Sequence, residues 1–532
     1  MSGRRWTAVL AAMLALCAPR ALAQDTAAVR ADTAPRVPSP WRDDVVTLDE
    51  EVAEFGASPL LPFEHWAVQA ARRAEALGLT SFFPAQRAVP RAQVAQALDE
   101  ASRNAATPAL RRVAAGWRAR FLEEFPEYVP WKDAGRGNRG MVTVLAARVA
   151  AGGERWTGRL APAVGYQSGR QPPQPLGDVS GPTASLSAGV ATEWASLNAE
   201  GAYRGGEAVV REWEAALGAG GFQLSIGRAP LGYGWGRMGS VVWASPDAMP
   251  RIEFQSTRPF RLPWFLRHLG PMTLHTFAGQ VNDPARHPDE PETFGMRVAA
   301  QPHPRLTLAA SRASMFGSTN DPTTGRRLLG MLVGIVRSDF ENQVVSLDAR
   351  YRLPTDRVLP LTAYLEWGAD DAAGALDEVP GRVAGLFVPA LPGLPEVGVG
   401  AEYAAFAEAC CGHGPWYLSS TFPGNWAVHA RPLGHPLGGE GTEAAGYAQA
   451  ELLDARLRLS ARGWVRDRSD ASLGAYGGGN LYTPARTGRS TGGAVDAALR
   501  LAPRAELRAG GWVDDGDGWS EQRLGASLAW TF

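Results

Sequence analysis

The sequence predicts a mainly β protein: a transmembrane antiparallel β-barrel of about 18 strands with a small N-terminal periplasmic α-helical domain. Three observations carry this. Small or apolar residues alternate with polar ones at period two over most of the chain after Gly140. The connections between the alternating runs are by turns short and long. The chain also opens with a stretch that reads as a secretory leader. Period two is the pleat of a strand, and in a membrane barrel it separates lipid-facing from lumen-facing side chains. Averaged hydropathy hides such strands, and no stretch beyond the leader approaches the roughly 20 apolar residues of a membrane helix. The 61 glycines, 18 tryptophans and 11 tyrosines suit the same architecture.

Taken in order, residues 1–23 are the expected signal peptide. Arg4 and Arg5 precede an apolar run, and Ala21-Leu22-Ala23 makes a small-x-small cleavage site before Gln24. Leu16 before Cys17 is too large for a good lipidation site. Loss of the leader removes Arg4, Arg5 and Arg20 and no acid, taking the formal charge from −1 to −4. Such a chain is no basic nucleic-acid binder, and two remaining cysteines make no disulfide scaffold. Residues 24–58, rich in Ala, Asp, Pro and Thr, read as a flexible linker.

Residues 59–130 carry the helical period. PFEHWAVQAARRAEALG puts Trp66, Ala70, Ala74 and Leu77 on one face between a leading Pro and a closing Gly. PRAQVAQALDEASRN repeats the plan with Val94, Ala97 and Leu98. TPALRRVAAGWRARFLEEF starts on a Thr cap and a first-turn Pro and lines up Leu110, Val113, Ala114, Trp117, Phe121 and Leu122.

Residues 140–532 form the expected barrel. In LDARLRLSARGWVR, Leu453 to Val465 alternate as one apolar or small face, and Asp454, Arg456, Arg458, Ser460, Arg462, Trp464 and Arg466 form the other. Similar alternation recurs near 185–194, 222–228, 294–300, 305–310, 361–367, 397–403, 494–501 and 505–513. With the last strand running inward, Asp514–Glu521 is an outside loop, Ala502–Arg504 an inside turn, and Arg466–Gly493 and Ala409–Glu443 long outside loops. Pro259–Pro271 is an inside connection longer than the rest. Met141–Ala150 is a possible nineteenth strand, against the even count of single-chain barrels. In the closing stretch QRLGASLAWTF, Leu524, Ala526, Leu528, Trp530 and Phe532 form the outward stripe, and the terminal Phe resembles the insertion signal of outer-membrane barrels.

Several ordered stretches resemble the Wzi family of capsule assembly proteins. They are LPFEHWAVQAARRAEALGL, FFPAQRAVPRAQVAQAL, SIGRAPLGYGWGRMGSVVWASPDAMPRIEF, AASRASMFG, LTAYLEWGADDAAG and ARPLGHPLGG. The resemblance covers about residues 59–532. It implies an outer-membrane barrel of 18 strands with a periplasmic helical bundle, acting as a lectin that attaches capsular or exopolysaccharide to the cell surface. It attaches no enzymatic activity and no cofactor. The implied setting is the outer membrane of a Gram-negative cell, with outer-membrane lipid, the barrel-insertion machinery and polysaccharide as partners of a monomer.

The candidate glycan contacts are the outside-loop aromatics Trp416, Tyr417, Trp426, Tyr476, Tyr482 and Trp519, with Asn425 and Asn480 nearby. The plainer alternative makes them an interface belt or loop packing. Arg456, Arg458, Arg462 and Arg466 line the lumen, either as a basic track or paired with acids such as Asp454, Asp496 and Glu506. An anion-preferring diffusion channel is therefore the alternative function. Glu366, Asp370 and Asp371 sit at a loop mouth, more a solvated turn than a Ca²⁺ or paired-carboxylate site, and Asp514, Asp515 and Asp517 lack a calcium-loop spacing. Cys410 and Cys411, with His429 and His435 near, suit a vicinal disulfide or a stapled loop better than a metal site, so no metal ligands are assigned. A barrel-wall hydrolase or acyltransferase would need a nucleophile–base pair, and His275, the best mid-strand histidine, has no marked serine partner.

Overall fold

In the computed structural model the described residues are 57–125 apart from 85, residue 128, and 157–530 apart from 170–180, 192–193, 205–206, 245–247, 282–290, 318–340, 357, 371–379, 407–415, 418–425, 429–430 and 470–485. The leader, nearly all of the linker, Met141–Ala150 and Phe532 lie outside them.

Three helices come first: α1 (Trp66–Ala76), α2 (Arg91–Asn104) and α3 (Pro108–Glu124). Their ends follow local chemistry. The His65 ring accepts the Ala67 amide at the start of α1. Thr107 Oγ1 accepts the Leu110 amide ahead of a first-turn proline in α3. Trp66, Ala70, Ala74, Val94, Leu98, Trp117 and Phe121 are buried together as the expected apolar faces.

Eighteen strands follow and close. They are β1 (Thr157–Gly169), β2 (Gly181–Ala191), β3 (Ala195–Arg204), β4 (Glu207–Ala219), β5 (Phe222–Ala229) and β6 (Met249–Ser256). Next come β7 (Met272–Gln280), β8 (Glu292–His303), β9 (Leu306–Phe316), β10 (Glu341–Arg352), β11 (Thr362–Asp370) and β12 (Gly381–Val388). The last are β13 (Val397–Phe406), β14 (Gly441–Leu452), β15 (Leu457–Arg468), β16 (Gly488–Ala502), β17 (Ala505–Gly516) and β18 (Trp519–Trp530). Each pairs antiparallel with its neighbour, and β18 pairs with β1 from Arg523↔Gly169 to Ala529↔Ala163. Closure satisfies the backbone groups that an open edge would leave bare in lipid.

Side chains alternate as the pleat requires. On β5 and β6, Leu224, Ile226, Ile252 and Phe254 are exposed on the outer wall, while Gln223, Ser225, Arg251, Glu253 and Gln255 are buried inside. On β18, Leu524, Leu528 and Trp530 fall on the exposed parity, as the terminal alternation predicts.

Three expectations are corrected. Asp514–Glu521 is not a loop: β17 runs to Gly516 and β18 resumes at Trp519, because its acidic residues on one parity face a polar lumen rather than solvent. Arg456 is not on a lumen-lining strand; it sits exposed in the turn between β14 and β15, where Leu453, Asp454 and Ala455 all take positive φ. Pro259–Pro271 is no simple turn, since it contains a six-residue 3-10 helix, Trp264–Leu269.

Candidate functional site

The lumen is where this barrel departs from a simple pore. It is filled from both rims. At the rim where the chain enters, the helices are seated across the mouth. The Ser58 amide donates to Gln223 on β5 at 2.8 Å, the Leu60 amide to Glu214 on β4 at 3.1 Å, and the Gln93 side-chain Nε2 to the Ser256 carbonyl on β6 at 2.7 Å. On the opposite wall Arg73 donates to the Pro389 carbonyl at 2.6 Å and to Glu451 on β14 at 3.2 Å. Trp117 also donates to Glu451, Arg120 pairs with Glu506 on β17, and Glu75 pairs with Arg350 on β10. Helix faces that look polar in sequence are thus buried, Arg73 at 1% exposure and Arg120 at 5%. Burial pulls both guanidiniums below their ordinary range, and the facing carboxylates oppose that shift.

From the other rim, the connection between β5 and β6 runs down inside the barrel to meet the helices. The Arg87 amide donates to the Gly232 carbonyl at 2.7 Å, and Arg72 donates to the Gly234 carbonyl. Two strand carboxylates hold this segment. Glu366 on β11 accepts the amides of Trp235 (2.5 Å), Gly236 (2.8 Å) and Val241 (3.1 Å) and the hydroxyl of Ser240 (2.9 Å). Glu402 on β13 accepts the amides of Arg237 (2.6 Å) and Met238 (3.0 Å) and the hydroxyl of Tyr364. So many donors on one carboxylate demand close backbone approach. Gly234, at φ +92°, permits it: a Cβ there would stand 2.4 Å from Glu366 Oε1. Glu366 is therefore a buried anchor, not part of a solvated loop mouth.

Between the two fillings a cavity of about 60 Å³ is lined by Phe63, Arg72, Trp235, Arg237, Arg350 and Tyr364, among others. Burial, then the neighbouring Arg87 guanidinium, lowers the Arg72 side chain to about 9.

Above the lumen segment lies a platform built from the β13–β14 connection. The residues expected to stack on sugars are its core. Trp416, Tyr417 and Trp426 are each 0% exposed. Tyr417 OH donates to the Val241 carbonyl at 2.6 Å and accepts the His435 amide at 3.0 Å, and its own amide donates to Asp370. Trp426 donates to the Val242 carbonyl at 2.8 Å and packs edge-on against Trp243 at 5.6 Å. Trp416 packs edge-on against Phe406 at 5.2 Å. As exposed stacking faces, Trp416, Tyr417 and Trp426 are corrected: apolar rings next to the lumen wall gain more from packing than from water. Trp519 is corrected likewise. It opens β18, is 8% exposed and lies under the Arg486 guanidinium at 5.4 Å. Tyr476, Tyr482, Asn425, Asn480, Cys410, Cys411, His429 and Asp371 lie outside the described residues.

Of the arginines, Arg458, Arg462 and Arg466 share the inward parity of β15 with the buried Trp464. Arg466 pairs with Glu443 and, at 3.0 Å, with Asp514. His275 is 2% exposed, with Nδ1 at 2.9 Å from Tyr233 OH and Nε2 at 3.3 Å from Glu253. Both ring nitrogens serve a closed lumenal network. The lumen segment's carboxylate anchors escaped sequence reasoning; the glycine spacing of PLGYGWGRMG was the available signal.

The family model of capsule assembly protein Wzi matches residues 135–515. The fold is similar to that of Wzi from Escherichia coli, a carbohydrate-binding outer-membrane β-barrel involved in group 1 capsule assembly. That likeness has a TM-score of 0.69 at 16% identity, covering 89% of this chain and 99% of the other. Pseudomonas aeruginosa OpdQ and OprD are looser matches, at TM-scores of 0.43 and 0.40 and identities of 10% and 8%. Each covers 71% of this chain, against 98% and 95% of its own length. No curated protein matches the sequence.

Proposed function

This chain belongs to the Wzi capsule assembly family, and from that premise we propose that it binds capsular or extracellular polysaccharide at the rim away from the helices and holds it on the cell. The observation that carries the reading is the filled lumen. A barrel crossed by a latched segment and stoppered by helices is built to present a surface, not to pass solute. The same observation weighs against the anion-preferring channel, since Arg466 of the expected track is spent on Glu443 and Asp514.

In this reading the helices face the periplasm and the platform faces outward. The barrel works as a monomer in outer-membrane lipid, placed there by the insertion machinery. The platform aromatics hold the loops, and Tyr476 and Tyr482, in the connection between β15 and β16, meet the sugar. Loops carry specificity while the scaffold positions them. The signal peptide (1–23), linker (24–58), helical domain (59–130) and barrel (140–532) are the proposed organisation.

The test is the division of polysaccharide between cells and medium after deletion of the gene, with total polysaccharide quantified. Constant total with a smaller cell-bound fraction is expected. Restoration by the wild type but not by Tyr476→Ala/Tyr482→Ala is expected as well. An unchanged cell-bound fraction on deletion overturns the function; full rescue by the double variant overturns the site alone.

A further inference from the structure

The 3-10 helix between β6 and β7 places two aromatic rings in the open. Trp264 is 84% exposed and Phe265 73%, with Leu266 and Leu269 exposed beside them. A scattered exposed apolar residue needs no account, but four in six consecutive positions do. Trp264 also holds φ at +59°, a left-handed conformation that a bulky residue adopts at a cost. Its ring recovers little from the protein at that exposure.

The segment does not hang free. Phe260 and Met272 exchange backbone hydrogen bonds at 2.9 and 2.8 Å, and the Thr257 amide donates to the Gly221 carbonyl at 2.8 Å. Gly270, at φ +75°, lies where a Cβ would stand 1.9 Å from the Gln301 carbonyl oxygen on β8. The segment is therefore clamped at both ends.

The side of the wall to which it is clamped decides its partner. Phe254 is on the exposed, outer parity of β6. Phe222 stacks on Phe254 at 5.4 Å with 5° between planes, and Phe260 packs on Phe222 at 5.5 Å. The aromatic path thus runs continuously from the lipid-facing wall into the segment. Arg258, Arg261, Arg267 and His268 are interspersed with the apolar residues. Aromatic rings with basic neighbours at the end of a lipid-facing wall match the boundary between acyl chains and anionic headgroups.

We propose that Pro259–Leu269 is an interfacial anchor, whose Trp264 and Phe265 insert into the lipid leaflet at the helical rim while Arg267 and His268 meet headgroup phosphates. By the orientation given above this is the periplasmic, phospholipid leaflet. The anchor depends on the barrel's membrane placement and not on glycan binding.

The test uses the full barrel in vesicles of phosphatidylethanolamine and phosphatidylglycerol, on a Cys410→Ser/Cys411→Ser background. A nitroxide is attached at Phe265→Cys, at Leu224→Cys on the outer wall (52% exposed), and at Thr355→Cys in an exposed turn at the same rim. Collisional relaxation by oxygen, which enters lipid, is compared with that by a water-soluble nickel chelate. The expected result is oxygen preference at positions 265 and 224 and nickel preference at 355. Nickel preference at 265 with oxygen preference at 224 overturns the anchor and leaves a water-facing surface suited to a protein partner. Nickel preference at 224 overturns the wall's membrane placement and the anchor with it.

Discussion

His435 shows how tightly the platform is made. It is 0% exposed, its Nδ1 accepts the Leu437 amide at 3.2 Å, and its own amide reaches Tyr417 OH. Burial pulls the imidazole down to about 4; Glu443 opposes this, and Arg466, Arg87 and Arg468 reinforce it. The fold thus requires the neutral ring. Because the folded value lies below the unfolded value of about 6.5, stability is complete above that pH and is lost as pH falls toward 4. At pH 5 the loss is about 2 kcal/mol, or roughly thirtyfold in local opening. Amide exchange in the peptide spanning Trp426–Leu437, corrected for its intrinsic pH dependence, should speed up by that order between pH 7 and pH 5. His435→Gln should remove the difference. Equal protection at both pH values would show that the ring is not held neutral. None of this was legible at the level of single residues. Trp416, Tyr417 and Trp426 read as loop aromatics because a chain position says nothing about whether a ring sits at a loop's tip or its base.

Strands were the most legible elements and the lumen segment the least. β18 could be read because Leu524, Ala526 and Leu528 obey a period-two rule that lipid on one side enforces. The hairpin from β17 to β18 was misread at its tip because Asp514 and Glu521 look like loop residues, whereas inside this barrel they face Arg466 and Arg486. The helices were legible in their apolar stripes and caps. Their other faces were not, since Arg73, Gln93 and Arg120 look solvated until a barrel mouth is placed around them. The β5–β6 connection has no periodicity at all; its shape is imposed by Glu366 and Glu402 on strands more than a hundred residues later in the chain. Charge-assisted bonds to a carboxylate are about twice as strong as neutral ones. A buried amide left without an acceptor costs about 1–3 kcal/mol. Glu366→Ala orphans three amides and a hydroxyl, so exchange across Trp235–Val241 should rise at least a hundredfold, by order of magnitude. Glu366→Gln, which keeps the acceptor oxygen, should lie between. Unchanged protection in Glu366→Ala would mean that packing of Trp235 and Trp243 holds the segment without its anchor.

The barrel carries two fillings with separate attachments, and that arrangement makes a distinctive prediction. The lumen segment hangs on Glu366 and Glu402, while the helices hang on ion pairs and hydrogen bonds at the opposite mouth, including Arg73 with Glu451 and Arg120 with Glu506. Removing one partner of a buried pair leaves the other charge uncompensated, at a cost of about 3–5 kcal/mol. Arg73→Ala/Arg120→Ala should therefore loosen the helical seat, and Glu366→Ala the lumen segment. Either change alone leaves the other filling across the lumen. In planar bilayers the wild type, the Glu366→Ala variant and the Arg73→Ala/Arg120→Ala variant should all stay electrically quiet. The triple variant should open a steady current with a preference for anions, because Arg458 and Arg462 lie on the lumen-facing parity of β15 and would line the opened path. Steady current from the Glu366→Ala variant alone would show that the helices are no seal. Silence in the triple variant would show that neither set of contacts is what closes the barrel. Redundant closure of this kind suits a barrel whose work is done on its rim: the wall supplies a fixed frame, and failure of one filling does not breach the membrane.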